Sequence, residues 1–200
     1  MTSSYQRSLI EIESNFGPDN YKPLPVVLSK AEGVWVWDVD NKKYLDMMSA
    51  YSAVSHGHSH PELLKVLHEQ SARLALTSRA FYTDTLGPYL ETITSVSNFE
   101  MALPMNSGAE AVETAIKASR RWAYRSKKIE PNKAEIIVAD GNFHGRTTTI
   151  ISFSSDDNSK EDFGPHTPGF ISVEFGSSKA IEEAITENTA AVLVEPIQGE

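Results

Sequence analysis

Asn106-Ser107-Gly108-Ala109-Glu110-Ala111-Val112-Glu113 joins a small-residue turn to a run of good helix formers. Ser107 suits the N-cap position and Glu110 follows three residues later, the spacing of a capping box. The first amides of a helix lack intrahelical acceptors and carry partial positive charge, and Gly108 lets an oxyanion approach them. The chemistry on offer is the holding of a phosphate, which points to a bound phosphorylated cofactor. A capped helix that binds nothing has the same local signature. A second group, Gly141-Asn142-Phe143-His144-Gly145-Arg146-Thr147, sets an aromatic ring and a guanidinium among glycines, and a third is Glu195-Pro196-Ile197-Gln198-Gly199-Glu200. His56-Gly57-His58-Ser59-His60 places three imidazoles within five residues, a pattern that invites a metal. No acidic residue follows that run before Glu62, and no metal is assigned.

These groups need elements to position them. After Ser107, apolar residues recur at Val112, Ala115, Ile116, Trp122 and Ala123 with helical period, predicting a helix with one buried face. Arg120, Arg121, Arg125, Lys127 and Lys128 crowd its far end, where cations complement the helix dipole. Residues 135–139, 169–174 and 190–195 are short apolar, β-branched runs, and 179–186 reads as helix between the last two. Strands alternating with helices predict a mostly parallel sheet covered by helices, an α/β fold. Upstream, Pro23 and Pro25 make residues 21–27 an extended lead-in. Residues 34–37 and 43–45 read as a hairpin around Asp38-Val39-Asp40-Asn41, and 61–76 and 84–96 as helices. The boundary falls near residues 50–60, giving a β-rich N-terminal segment, 1–55, and an α/β body, 56–200.

Composition bounds the rest. At 200 residues, 40% hydrophobic and 22% charged, the chain is ordinary globular and long enough for one good core. A net charge of −9 gives no reason to expect nucleic-acid binding. The absence of cysteine excludes disulfides, thiolate zinc sites and cysteine nucleophiles. No apolar run approaches the roughly 20 residues of a membrane span. The first twenty residues lack a signal-peptide core and carry Glu11, Glu13 and Asp19, so a cytoplasmic protein with no membrane partner is expected.

Taken together, the three motifs resemble those of class III pyridoxal-phosphate aminotransferases, from about Tyr21 to the last residue. The closest likeness is to that family's ornithine-specific branch, through residues 21–27, 49–61 and 76–82. The resemblance implies the type I aminotransferase fold, with residues 1–55 as part of a small domain and 56–200 as the first part of a large cofactor-binding domain. It implies a homodimer that transfers the δ-amino group of ornithine to 2-oxoglutarate, giving glutamate 5-semialdehyde, which cyclises to pyrroline-5-carboxylate, and glutamate. By the family motif Ser107, Gly108 and Ala109 meet the cofactor phosphate and Phe143 lies against the pyridine ring. Arg146 is similar in position to the arginine that pairs with the substrate α-carboxylate, and a bidentate guanidinium suits that task. Tyr21 resembles a tyrosine assisting at the same end of ornithine. Tyr51 resembles the pocket tyrosine that separates ornithine enzymes from those acting on 4-aminobutyrate. Glu200 matches a glutamate that pairs with an arginine further along the family's chain and releases it when 2-oxoglutarate binds. The histidine run resembles a structural loop of the family. His144 stands where relatives often carry Trp or Tyr. Residues 147–151 are β-branched and strand-like locally, but they coincide with the start of a family helix, so the resemblance implies a helix there.

A transaminase also needs a lysine to hold the aldehyde as a Schiff base and an aspartate for the pyridine nitrogen. None of the eleven lysines lies in the segment matching the family's Schiff-base site, so no catalytic residue is assigned. The expectation is a truncated chain covering roughly the first half of the protein and inactive alone. Acetylornithine or 4-aminobutyrate as donor, and a non-catalytic half-domain acting in binding, remain alternatives.

Overall fold

Ser3 accepts the amide hydrogen of Gln6 on its hydroxyl at 3.0 Å and caps a first helix, α1 (Ser4–Phe16). Apolar spacing does not predict α1, because Tyr5, Ile12 and Phe16 stay exposed and Gln6 is its buried residue. Its one sequence signal is the Ser3 to Gln6 spacing of a capping box. The computed structural model describes residues 2–199, which fall into two compact units that divide between Gly87 and Pro88.

In the first unit, β1 (Leu28–Glu32), β2 (Trp35–Asp38) and β3 (Lys43–Leu45) form an antiparallel sheet in that order. The expected hairpin is β2 with β3, in the register Trp35 to Leu45, Val36 to Tyr44 and Trp37 to Lys43. The Gln6 amide donates to Asp38 Oδ2 at 3.2 Å and Asp40 Oδ2 at 2.7 Å, and accepts from the Val27 amide at 3.2 Å, tying α1 to the sheet. Asp38 is 2% exposed and also accepts from the Tyr44 hydroxyl and the amides of Asp40 and Lys42. Burial alone pushes its carboxyl upward, but the hydrogen bonds from Tyr44, Lys42, Asp40 and Gln6 prevail and hold it below the ordinary 3.8. A depressed folded pKa contributes stability above the unfolded value that is lost as pH falls through the folded one. Asp38→Asn is therefore expected to lower the unfolding midpoint at pH 7, with the gap to the parent closing below pH 3.8. Melts at pH 7 and pH 3 test this, and an equal gap at both would refute it.

The short turn α2 (Ser49–Ser52) is left-handed, with φ of 50°, 48°, 56° and 70° at Ser49, Ala50, Tyr51 and Ser52. None is glycine, and such backbone costs each of them roughly 1–2 kcal/mol. Helices α3 (Pro61–Arg73) and α4 (Leu86–Ser97) follow where expected, α3 with Pro61 in its first turn and an end at Arg73, three residues short of the predicted one.

The second unit starts its α/β body with α5 (Gly108–Trp122), extended by a π turn over Ala123–Lys127 that closes on left-handed Lys128. Next come β4 (Glu135–Ala139), α6 (Thr148–Ile151), β5 (Phe170–Val173), α7 (Ser178–Ala184) and β6 (Thr189–Leu193). The three strands are parallel in the order β5-β4-β6, so the first of them is central. Ile136, Ile137, Val138 and Ala139 are accordingly buried, as a strand covered on both faces must be. Ile116 of α5, Ile136 and Val138 of β4, and Ile150 and Phe153 at and after α6 form one core cluster. The strand-like local reading of residues 147–151 gives way to a helix: the Thr147 hydroxyl caps it by accepting the Ile150 amide, and Ile150 and Ile151 are buried. Tertiary burial outweighs β-propensity over so short a run. Among the described residues no helix is long and apolar enough to cross a membrane.

Candidate functional site

At the start of α5 the Ser107 hydroxyl accepts the Glu110 amide at 3.2 Å, and the Ser107 carbonyl accepts the Ala111 amide at 3.0 Å. The capping box is not the reciprocal kind, since Glu110 Oε2 reaches past Ser107 to accept the Asn106 amide at 2.8 Å. The amides of Gly108 and Ala109 are left with no acceptor among the described residues. The space a Cβ would take at Gly108 is open to 4 Å. The Ser107 hydroxyl still has its own proton to donate. Two free helix amides, a hydroxyl and an unobstructed glycine are the donor set of an oxyanion site.

The loop after β4 comes directly onto this helix start. A Cβ at Gly145 would meet Ala109 Cβ at 3.0 Å and Ile150 Cδ1 at 3.1 Å, and φ there is +124°. Only glycine permits both the backbone and the approach. Four further side chains fix the loop. Buried Asn142 donates to the carbonyls of Ala139 at 2.6 Å and Phe153 at 3.1 Å. Glu195 Oε2 accepts the Phe143 amide at 3.3 Å. The Thr147 hydroxyl donates to Glu113 Oε1 on α5. Gln198 donates to the Asp140 carbonyl at 2.6 Å and lies against Gly141. Sequence patterning singled out none of Asn142, Glu113, Glu195 or Gln198 for these jobs. Their one signal is membership of the three motifs.

Between these anchors Phe143 turns outward, 65% exposed, and Arg146 is exposed at the loop's end. The Ser159 hydroxyl is the first cause holding the Asp156 carboxyl below 3.8, followed by the Asn158 hydrogen bonds and then by the Arg146 charge, with burial opposing them. His144 takes the inward side, its ring 5.9 Å from that of Phe153, with Nε2 buried and without a hydrogen-bond partner among the described residues. Burial pushes the imidazole down from 6.5, and the Glu195 charge opposes the shift. Phe153 is thus the ring against which His144 lies, at the position where relatives often carry Trp or Tyr.

Ser107, Gly108, Ala109, Phe143 and Arg146 are thus brought to one edge of the second unit. Tyr21 and Tyr51 lie in the first unit, both exposed. Tyr21 lines a groove between α1 and the extended stretch before β1, and Tyr51 sits in the left-handed turn. Glu200 lies outside the described residues. His58 of the histidine run is hydrogen-bonded through Nε2 to Asp46 Oδ2 at 2.6 Å. A phosphate at the α5 amides with an aromatic ring beside Phe143 fits the residues present.

Comparison with known proteins agrees with that chemistry. The family model described as aminotransferase class III matches residues 16–200. The ornithine aminotransferase of Brevibacillus brevis is 57% identical over 192 residues, covering 96% of this chain and 48% of that protein. An ornithine aminotransferase structure from Toxoplasma gondii, with partial occupancy of PLP at its active site, shares 38% identity at a TM-score of 0.94. It covers 100% of this chain and 46% of that one. An acetylornithine aminotransferase structure from Elizabethkingia anophelis shares 55% identity at a TM-score of 0.84, covering 99% and 48%. The chain spans about half the length of the curated relatives it matches. The fold is that of the type I pyridoxal-phosphate aminotransferases. Matched by the family model over nearly all its length, the chain belongs to the class III aminotransferases, a pyridoxal-phosphate-dependent family.

Proposed function

We propose that this chain supplies one wall of the active site of an enzyme transferring the δ-amino group of L-ornithine to 2-oxoglutarate. The products are glutamate 5-semialdehyde, which cyclises to pyrroline-5-carboxylate, and glutamate. The observation that carries this reading is the packing of Gly145 on Ala109, which joins a phosphate-type helix start to the loop bearing Phe143 and Arg146. Pyridoxal phosphate, when bound, supplies an electron sink for the bond to be broken. The chain holds and orients: the Gly108 and Ala109 amides and the Ser107 hydroxyl take the phosphate, and Phe143 lies on the ring. Arg146 grips the substrate α-carboxylate, with Tyr21 assisting, and Tyr51 favours ornithine over 4-aminobutyrate. Glu200 masks an arginine from outside residues 1–200 until the dicarboxylate acceptor arrives. Residues 1–55 belong to a small domain and 56–200 to the large domain of a cytoplasmic homodimer. The 200-residue chain alone is inactive, because none of its eleven lysines occupies the position that holds the cofactor.

The 55% identity to an acetylornithine aminotransferase favours a second reading, with the N-acetylated donor in place of ornithine. Offering the enzyme that carries this chain ornithine, N-acetylornithine and 4-aminobutyrate, each with 2-oxoglutarate, separates the two. Semialdehyde formation fastest from ornithine is expected, and none from the isolated chain. Turnover of N-acetylornithine without turnover of ornithine would install the second reading.

A further inference from the structure

The histidine run has no part in the phosphate and carboxylate chemistry, yet one of its imidazoles is built firmly into the first unit. His58 exchanges two backbone hydrogen bonds with Gly33, at 2.8 and 2.9 Å. Its Nε2 meets Asp46 Oδ2 at 2.6 Å, with the two side chains 23% and 15% exposed. The other oxygen, Asp46 Oδ1, accepts the amides of Met48 and Ser49 at 2.9 Å each. Immediately after come the four left-handed residues Ser49, Ala50, Tyr51 and Ser52, with Tyr51 74% exposed. Among the described residues no side chain other than Asp46 is hydrogen-bonded to the backbone of residues 47–52. Four consecutive non-glycine residues in this region persist only where their surroundings over-determine them, and such strain gathers at functional sites. The ladder is continuous: Gly33 fixes His58, His58 fixes Asp46, Asp46 fixes the entry to the turn, and the turn presents the Tyr51 ring.

We propose that Asp46 and His58 are positioning residues for donor selection, holding the left-handed turn and through it the place of the Tyr51 phenol. The inference rests on the reading of Tyr51 as the residue that favours ornithine. A carboxylate with one oxygen on two amides and the other on an imidazole is rigid in a way that a lone cap is not. His58, Nε2 being adjacent to the acid, also pulls the Asp46 carboxyl below 3.8, ahead of the amides of Ser49 and Met48, so the acid stays ionised.

The test is the ratio of kcat/KM for ornithine to that for 4-aminobutyrate in the holoenzyme carrying this chain, with KM and kcat read separately. Tyr51→Ile is expected to lower the ratio about tenfold or more. His58→Ala should lower it several-fold in the same direction, mainly through the ornithine KM. His58→Gln, whose amide N–H replaces that of Nε2, should stay within about twofold of the parent. In the Tyr51→Ile background, His58→Ala should leave the ratio unchanged, since both act through one ring. Adding Ala50→Gly to His58→Ala should recover part of the ratio, because glycine accepts positive φ without being held. That rescue is one a general loss of stability would not give. If His58→Ala does not fold, Asp46→Glu, which keeps the charge and shifts it by one methylene, takes its place with the same expected fall. An unchanged ratio in Tyr51→Ile would remove the reading of Tyr51. A lowered ratio there, with His58→Ala and Asp46→Glu both at the parent value, would overturn this inference alone.

Discussion

Arg146→Ala in the holoenzyme should raise the KM for ornithine about a hundredfold while the absorbance of the bound cofactor is unchanged. The magnitude follows from what a guanidinium does for a carboxylate. Removing one partner of a desolvated, hydrogen-bonded charge pair costs about 2–5 kcal/mol, and each 1.4 kcal/mol is tenfold in binding. On the proposed reading the change should fall on KM rather than kcat, because an α-carboxylate gripped far from the reacting δ-amine would be held alike before and during reaction. The backbone on either side of Arg146 is anchored by its neighbours. Gly145 before it is packed on Ala109 and Ile150, and Thr147 after it caps α6 and is held by Glu113. Loss of cofactor in this variant would instead put the guanidinium against the phosphate and overturn its assignment.

Gly145→Ala should weaken cofactor binding by at least tenfold and slow turnover in proportion. The added Cβ would lie 3.0 Å from Ala109 Cβ, 3.1 Å from Ile150 Cδ1 and 3.5 Å from Ala109 Cα, at φ +124°. Ile150 is 1% exposed and has nowhere to go. Either the loop lifts from α5, taking Phe143 and Arg146 with it, or the helix start moves and its free amides lose their aim. Overpacking costs about 1–3 kcal/mol and the backbone strain a similar amount. Gly176→Ala is the control, because φ is +81° there and nothing lies within 4 Å of the new Cβ. Cofactor titrations of both apoproteins compare them. Equal, small losses would mean that the close approach at Gly145 does not build the site.

Much of the second unit was legible because its signals are local. Residues 135–139 are apolar and β-branched, and β4 has those bounds. Ser107 reads as an N-cap because its hydroxyl needs only the amide three residues on. Where local and tertiary preferences disagree, the tertiary one decides. Thr147 to Ile151 favour extended backbone, yet two buried isoleucines and a capped first turn make them a helix. Helix α1 is illegible by periodicity, since it is held by Gln6 reaching Asp38 and Asp40 rather than by an apolar face.

By itself the sequence determined the alternation of strands and helices, the residue types able to hold a phosphate, a ring and a carboxylate, and the family motifs that unite them. Each is written in neighbours a few positions apart. Only the tertiary structure decided that Gly145 touches Ala109, that Glu113 holds Thr147, and that Asp46 bonds His58 while accepting the Met48 and Ser49 amides. These contacts span 12 to 36 residues, as Asp46 to His58 and Ala109 to Gly145. Such pairings follow from the order of strands and the burial of a shared core, which no local spacing encodes.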